Sequence, residues 1–199
     1  MTAHFNSSRT STKHQRGFSL LEVMFSIVIM TVGLVSLLAV MGIAMASTQT
    51  SEQTAIAKRL ANEALESILT ARETAQIQWS QIANGNCVVG QACGIFLSGA
   101  QPINLPGVDG IIGTSDDAAA GAQVLEQPGP TGVFAGACPP DICYSLTNFT
   151  RTIAITPFAL AGGGTDPTLN SITITVTYTT PQLHVPQNYI LNTVISQYR

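Results

Sequence analysis

An α+β fold is predicted, with one long N-terminal helix and a C-terminal antiparallel sheet. Three observations predict it. The run Val23 to Ala46 holds neither a charge nor a proline. Apolar residues then recur at helical spacing from Gln53 to about Ile77. The last third alternates apolar and polar residues with period two, between glycine and proline breakers. A helix with one apolar face needs a sheet to cover it, which makes a two-layer arrangement.

The apolar run comes first. As a helix it would extend about 36 Å at 1.5 Å per residue, more than the roughly 30 Å hydrocarbon core of a bilayer. A core helix would be shorter. A secretory signal has some support, since Arg9, Lys13 and Arg16 form a basic leader and Ala44-Met45-Ala46 fits a cleavage site. The apolar stretch is nevertheless far longer than the usual 7–15 residues, and Glu22 interrupts its start. A plain anchor leaves Glu22 and the Gly17-Phe18 junction unexplained. The basic leader predicts a cytoplasmic N-terminus and an exported C-terminal part. A carboxylate at the start of a membrane helix is costly, though less than the about 2.5–3.5 kcal/mol of a central charge. It marks a functional site whose partner must be named.

Beyond the membrane the helix should turn amphipathic. Ile56, Leu60, Ala64 and Ile68 form a stripe that Leu65 and Leu69 widen, while Glu52, Lys58, Arg59, Glu63, Glu66 and Arg72 take other faces. Core packing explains the stripe, and Trp79 reads as a packing residue. A helix lying on lipid is the alternative.

From about Ser80 to Ile142 glycine, proline, alanine and asparagine dominate and periodicity disappears. The segment is too long for a simple connection, so it is expected to be a variable surface region. Four cysteines, Cys87, Cys93, Cys138 and Cys143, all follow the apolar run. An even number on the exported side predicts two disulfides. The short spacings favour Cys87–Cys93 and Cys138–Cys143 over the two other pairings. Five residues separate the first pair and no histidine is near, which disfavours zinc. In Gly107–Asp117, Asp109, Asp116 and Asp117 could supply oxygen ligands for calcium, with glycines letting the backbone wrap the ion. The stretch resembles D-G-x-x-G-T-x-D-D segments of bacterial extracellular calcium-binding repeats. It occurs once, and a Gly/Asp turn cluster is the simpler explanation.

The strands come last. Phe149, Arg151, Ile153 and Ile155 alternate with Thr150, Thr152, Ala154 and Thr156, and Ile172, Ile174, Val176 and Tyr178 alternate with a threonine row. Tyr189–Ser196 gives a third run. Pro157, Gly162-Gly163-Gly164, Pro181 and Pro186 are the expected breakers. Half-buried antiparallel strands give this pattern, with the threonines on the solvated face.

Charge narrows the function. The chain has 8 basic and 11 acidic residues, a net −3. The leader holds three of the basic residues and no acidic one, so removing it leaves five against eleven, a net of −6. That argues against a nucleic-acid surface. Only His184 lies beyond the leader, and no nucleotide loop, H-E-x-x-H or G-x-S-x-G is present. A histidine-based catalytic site is therefore not expected, and no enzyme activity is predicted.

Gly17-Phe18-Ser19-Leu20-Leu21-Glu22-Val23 resembles the processing site of type IV pilins and type II secretion pseudopilins. The resemblance covers the leader, the junction and the apolar helix. It implies a prepilin peptidase that cuts between Gly17 and Phe18 and methylates the Phe18 amine, which stays cationic. It makes Glu22 the fifth residue of the mature chain and the family's assembly glutamate, pairing with the Phe18 amine of a neighbouring subunit. It further implies other pilin subunits, an inner-membrane assembly platform and membrane lipid as partners. The expected organisation is a leader, 1–17, a membrane and assembly helix, 18–46, its amphipathic continuation, 47–79, and a β-rich exported domain, 80–199, whose loop region is 80–143. Localisation follows: the inner membrane before assembly, then an extracellular pilus or periplasmic pseudopilus. The apolar helix, Leu20-Leu21-Glu22-Val23 through Thr31-Val32-Gly33-Leu34 to Met41, and the ending, a Phe-x-Arg strand followed by Ile-Thr-Ile-Thr-Val-Thr-Tyr, most resemble PilV-type minor pilins, while the lack of a proline in the helix departs from many major pilins. A minor pseudopilin and, from another class, a membrane-tethered adhesin are the alternatives.

Overall fold

The computed structural model describes residues 18–85, 87, 93–126, 143–180 and 185–198. The leader with Gly17, and Cys138, lie outside the described residues. The chain divides into two compact units, Met1–Met45 and Ala46–Arg199.

In the first unit the described residues belong almost entirely to helix α1, Leu20–Glu73, which also continues into the second unit. Residues 18–45 are exposed throughout. The helix is long and apolar enough to cross a membrane. Its few hydroxyls bond to the preceding turn: Ser26 to the Glu22 carbonyl, Thr31 to Val28, and Ser36 to Gly33, each at 2.8 Å. Back-bonding of this kind leaves no hydroxyl without a partner on a surface facing hydrocarbon.

The second unit packs the rest of α1 on an antiparallel sheet. Ala57, Leu60, Ala61, Ala64, Ile68 and Ala71 are buried against Ile153, Ile155, Ile172, Ile174 and Val176. Ile56, Leu65 and Leu69 sit half-buried at the margin. Alanines dominate the buried stripe, which brings the helix close to the sheet. The Thr54 hydroxyl lies 2.9 Å from the Tyr178 hydroxyl, and Tyr178 stacks on Phe149 with centroids 5.5 Å apart.

The helix stops at Glu73, short of the expected Trp79. Ala75 adopts a left-handed conformation (φ 58°). The Gln76 amide donates to the Ala71 carbonyl and the Ala75 amide to the Arg72 carbonyl. This is the Schellman closure, here with alanine in the position glycine usually takes. A short 3-10 turn follows at Trp79–Gln81, and the Trp79 indole donates to the Pro167 carbonyl at 2.9 Å.

The sheet runs β1 (Gln101–Pro102), β4 (Phe149–Ala159), β5 (Thr165–Thr179), β6 (Pro186–Ser196), all antiparallel. A separate pair joins β2 (Val124–Glu126) to β3 (Cys143–Ser145). Residues 149, 151, 153 and 155 of β4 and 172, 174, 176 and 178 of β5 point inward, as the alternation predicts. Pro157, expected to end a strand, instead lies inside β4 at the register shift between Pro157 and Phe158. A bulge is where a strand tolerates a missing amide. The glycine run makes the β4–β5 turn, with Gly163 and Gly164 at positive φ.

The loop region is not merely surface. Ile82, Ile95, Phe96, Ile103, Ile111 and Ile112 are all buried in the core. Asn84 fastens it to the sheet. Its amide donates to the Ile153 carbonyl at 2.8 Å, and its carbonyl accepts the Ile155 amide at 2.7 Å. One side chain thus stands in for a neighbouring strand where β1 has ended. Cys87 and Cys93 form the expected disulfide.

Candidate functional site

Two groups of residues singled out by the sequence lie among the described residues. The first is the start of α1. The Ser19 carbonyl accepts the Glu22 amide at 2.9 Å and the Val23 amide at 3.2 Å. Ser19 is therefore the N-cap, and Glu22 stands at the third helical position, the spacing of a capping box. The carboxylate lies in the first turn, where the helix dipole favours negative charge. That placement lowers the cost of holding an acid on an otherwise apolar helix. Among the described residues the Glu22 side chain has no hydrogen-bond or ion-pair partner, and Phe18 is 81% exposed. Phe18 and Glu22 are therefore both presented outward on the same end of the helix.

The second group is the aspartate loop. Asp109, Asp116 and Asp117 each place a carboxylate oxygen within 4.8 Å of the others. Main-chain amides meet them. Asp117 accepts from Gly107 at 3.0 Å and from Gly113 at 2.6 Å. Asp116 accepts from the Asp109 amide at 3.2 Å and the Thr114 hydroxyl at 2.6 Å. Asp109 accepts from Ile111 at 2.8 Å. Gly113 is obligatory here: its φ is +95°, and a Cβ would meet Ile153. The loop is also fixed to α1, since the Ile112 amide donates to Ser67 Oγ at 2.9 Å and Gln76 Nε2 to the Asp109 carbonyl at 2.5 Å.

Burial raises the Asp109 carboxyl above its ordinary 3.8, against the Ile111 hydrogen bond. Burial likewise raises Asp117, opposed by the Gly113 and Gly107 amides and the Arg151 charge. For Asp116 the desolvation is outweighed by the Thr114 and Asp109 hydrogen bonds, so it falls below 3.8. Arg151 projects from β4 into this region and is only 4% exposed. Burial lowers its pKa, while Glu63 and Asp117 hold it charged. Glu63 in turn accepts two hydrogen bonds from Gln123, at 3.1 and 3.2 Å. The alternation of β4 placed Arg151 on the inward face. Its two acidic neighbours come from remote segments, and no local pattern announces them.

These bonds give the three aspartates a bracing role: they fold Gly107–Asp117 on itself and set Asp117 near a buried arginine. Asp109, Asp116 and Asp117, singled out in the sequence as oxygen ligands, are thus neighbours in the fold.

The family described as the prokaryotic N-terminal methylation motif matches residues 12–38. The match includes the leader junction, Phe18, Glu22 and the first turns of α1. It supports a type IV pilin-like prepilin. Members carrying this motif are structural subunits, and the motif implies processing by prepilin peptidase and assembly with other pilins. The exposed apolar helix is consistent with membrane anchoring before assembly. No curated protein and no solved structure matches the chain.

Proposed function

We propose that the chain is a minor structural subunit of a type IV pilus, of the PilV type. It is inserted as a prepilin, cut between Gly17 and Phe18, methylated on Phe18 and then drawn into a filament. The observation that carries the proposal is the junction itself: a basic leader, Gly17-Phe18, and Glu22 in the first turn of an exposed apolar helix. In the assembled helix bundle the Glu22 carboxylate pairs with the methylated amine of a neighbour. Removing one partner of a buried pair leaves the other uncompensated. The pairing therefore selects a defined stagger between subunits.

The inner-membrane assembly platform and lipid are partners before extraction, and the pilus is the destination. A pseudopilus of type II secretion shares this chemistry. The β-rich domain of a tethered adhesin would need no cut. The test is the fate of the chain in sheared surface filaments. Wild-type chain is expected in the sheared fraction. Glu22→Ala is expected to reach the membrane at normal levels yet be depleted there at least several-fold. Normal incorporation of Glu22→Ala refutes the assembly role. A processed chain that remains with the cells assigns the pseudopilus.

A further inference from the structure

The two edges of the main sheet are treated differently. The Gln197 amide donates to the Thr168 carbonyl at 2.7 Å, in the same register as the β5–β6 pairs. In an antiparallel pair this fixes which residues exchange hydrogen bonds. Odd-numbered residues of β6 turn their main chain toward β5. Asn188, Ile190, Asn192, Val194 and Ser196 turn theirs outward. Carried across β5, the same alternation sends Ile153 and Ile155 of β4 to the opposite edge, where Asn84 meets both. One edge is closed by a dedicated side chain. On the other, no group among the described residues bonds the main chain of Asn188, Ile190, Asn192 or Val194.

Proteins blunt free edges with lysines, prolines, inward charges, bulges or very short strands. In β6 the only such device is Pro186, at its first residue, and Gln187–Ser196 carries none. Pro186–Ser196 has no charged residue, and its pairing to β5 runs without a register shift. Ile190 is 55% and Val194 47% exposed. Tyr189 and Leu191 are half-buried at the margin of the core.

We propose that β6 is a self-association edge, pairing antiparallel with β6 of a second copy about a two-fold axis at Asn192. The lack of charge is what permits an edge to meet its own copy without repulsion. The sequence is self-complementary in this register. Asn192 faces Asn192, Ile190 faces Val194, and Asn188 faces Ser196 on the outer side. Tyr189 faces Ile195 and Leu191 faces Thr193 on the core side, extending the apolar layer. Centring the axis on Leu191 instead sets Ile190 against Asn192, and centring it on Ile190 sets Val194 against Pro186. The Asn192 register forms about ten main-chain hydrogen bonds. The contact is isologous and closes on two copies, so it is distinct from the open stacking of helices in a filament. It does not depend on leader processing.

The test is thiol cross-linking of the full chain in its membranes, with a short bifunctional reagent and the wild-type chain as background. Cα atoms of a hydrogen-bonded antiparallel pair are about 5.5 Å apart, so Asn192→Cys is expected to give a species of twice the chain mass. Val194→Cys alone is not, because its copies stand four residues out of register, about 14 Å apart along the strand. Mixing Ile190→Cys chains with Val194→Cys chains restores the product. Detergent-solubilised wild-type chain is expected at twice its own mass and Asn192→Lys at one. Equal cross-linking at Asn192, Val194 and the exposed loop site Ser115 overturns the proposal. So does a wild-type chain that is monomeric at every concentration, which decides the matter even if a variant fails to fold.

Discussion

Replacing Asp117 by alanine removes the acceptor of two main-chain amides and one of the two carboxylates that hold Arg151 charged. The Gly113 amide, in a buried residue, donates to Asp117 at 2.6 Å, and the Gly107 amide at 3.0 Å. Hydrogen bonds to charged groups contribute about 1.5–3 kcal/mol each, so about 3–6 kcal/mol is lost before any offset. Part returns, because burial disfavours the ionised carboxylate and its removal ends that cost. A net loss of about 3 kcal/mol is expected. For a unit of this size that lowers the melting temperature by about 6–12 °C. Asp117→Asn keeps one acceptor and should lose about half as much. The assay is thermal unfolding of the full chain in detergent micelles, followed by near-ultraviolet circular dichroism. A loss under about 1 kcal/mol for Asp117→Ala would refute the bracing role, for the two amides would then have found other partners.

Three further outcomes follow from the same geometry. The folded-state pKa of Asp109 is raised, so its contribution is complete below 3.8 and is lost as pH rises through the folded value. Asp109→Asn should therefore gain on the wild type as pH rises from 3.8 through the raised folded value, read from paired melting curves; a change in the opposite direction contradicts the sign. Ala75→Gly relieves a left-handed alanine at the end of α1 and should stabilise the domain by about 1 kcal/mol in denaturant titration; destabilisation would mean that the alanine methyl packs. With the loop braced by its own amides, melting curves in calcium and in chelator should superimpose. A rise in calcium that Asp116→Asn abolishes would assign Asp109, Asp116 and Asp117 to the ion instead.

Much of the architecture was legible because the relevant signals are periodic. The uncharged run, the helical stripe from Ile56 to Ile68 and the alternation in β4 and β5 each repeat over several turns or pairs, and burial follows them, including at Arg151. The methylation motif matched at residues 12–38 was legible because its few residue types occur in a fixed order. The end of α1 was not, since Ala75 fills a position that glycine normally marks. Pro157 misled because a bulge removes the need for its amide. The core residues between Ile82 and Ile112 come singly or in pairs from turns, without a period to detect. Asn84 gave no local sign of its role, which depends on β4 about 70 residues further on. The open edge of β6 became visible only with the strand order. The second disulfide, Cys138–Cys143, stays an expectation, with Cys138 outside the described residues.

The central claim is that this chain is a processed prepilin. The mass of the N-terminal peptide of the mature protein, taken from native membranes, tests it most directly. The account predicts a peptide that begins at Phe18 and carries one added methyl group on its α-amine. A peptide that retains the leader through Gly17, or a chain that begins at Ser47, would contradict it.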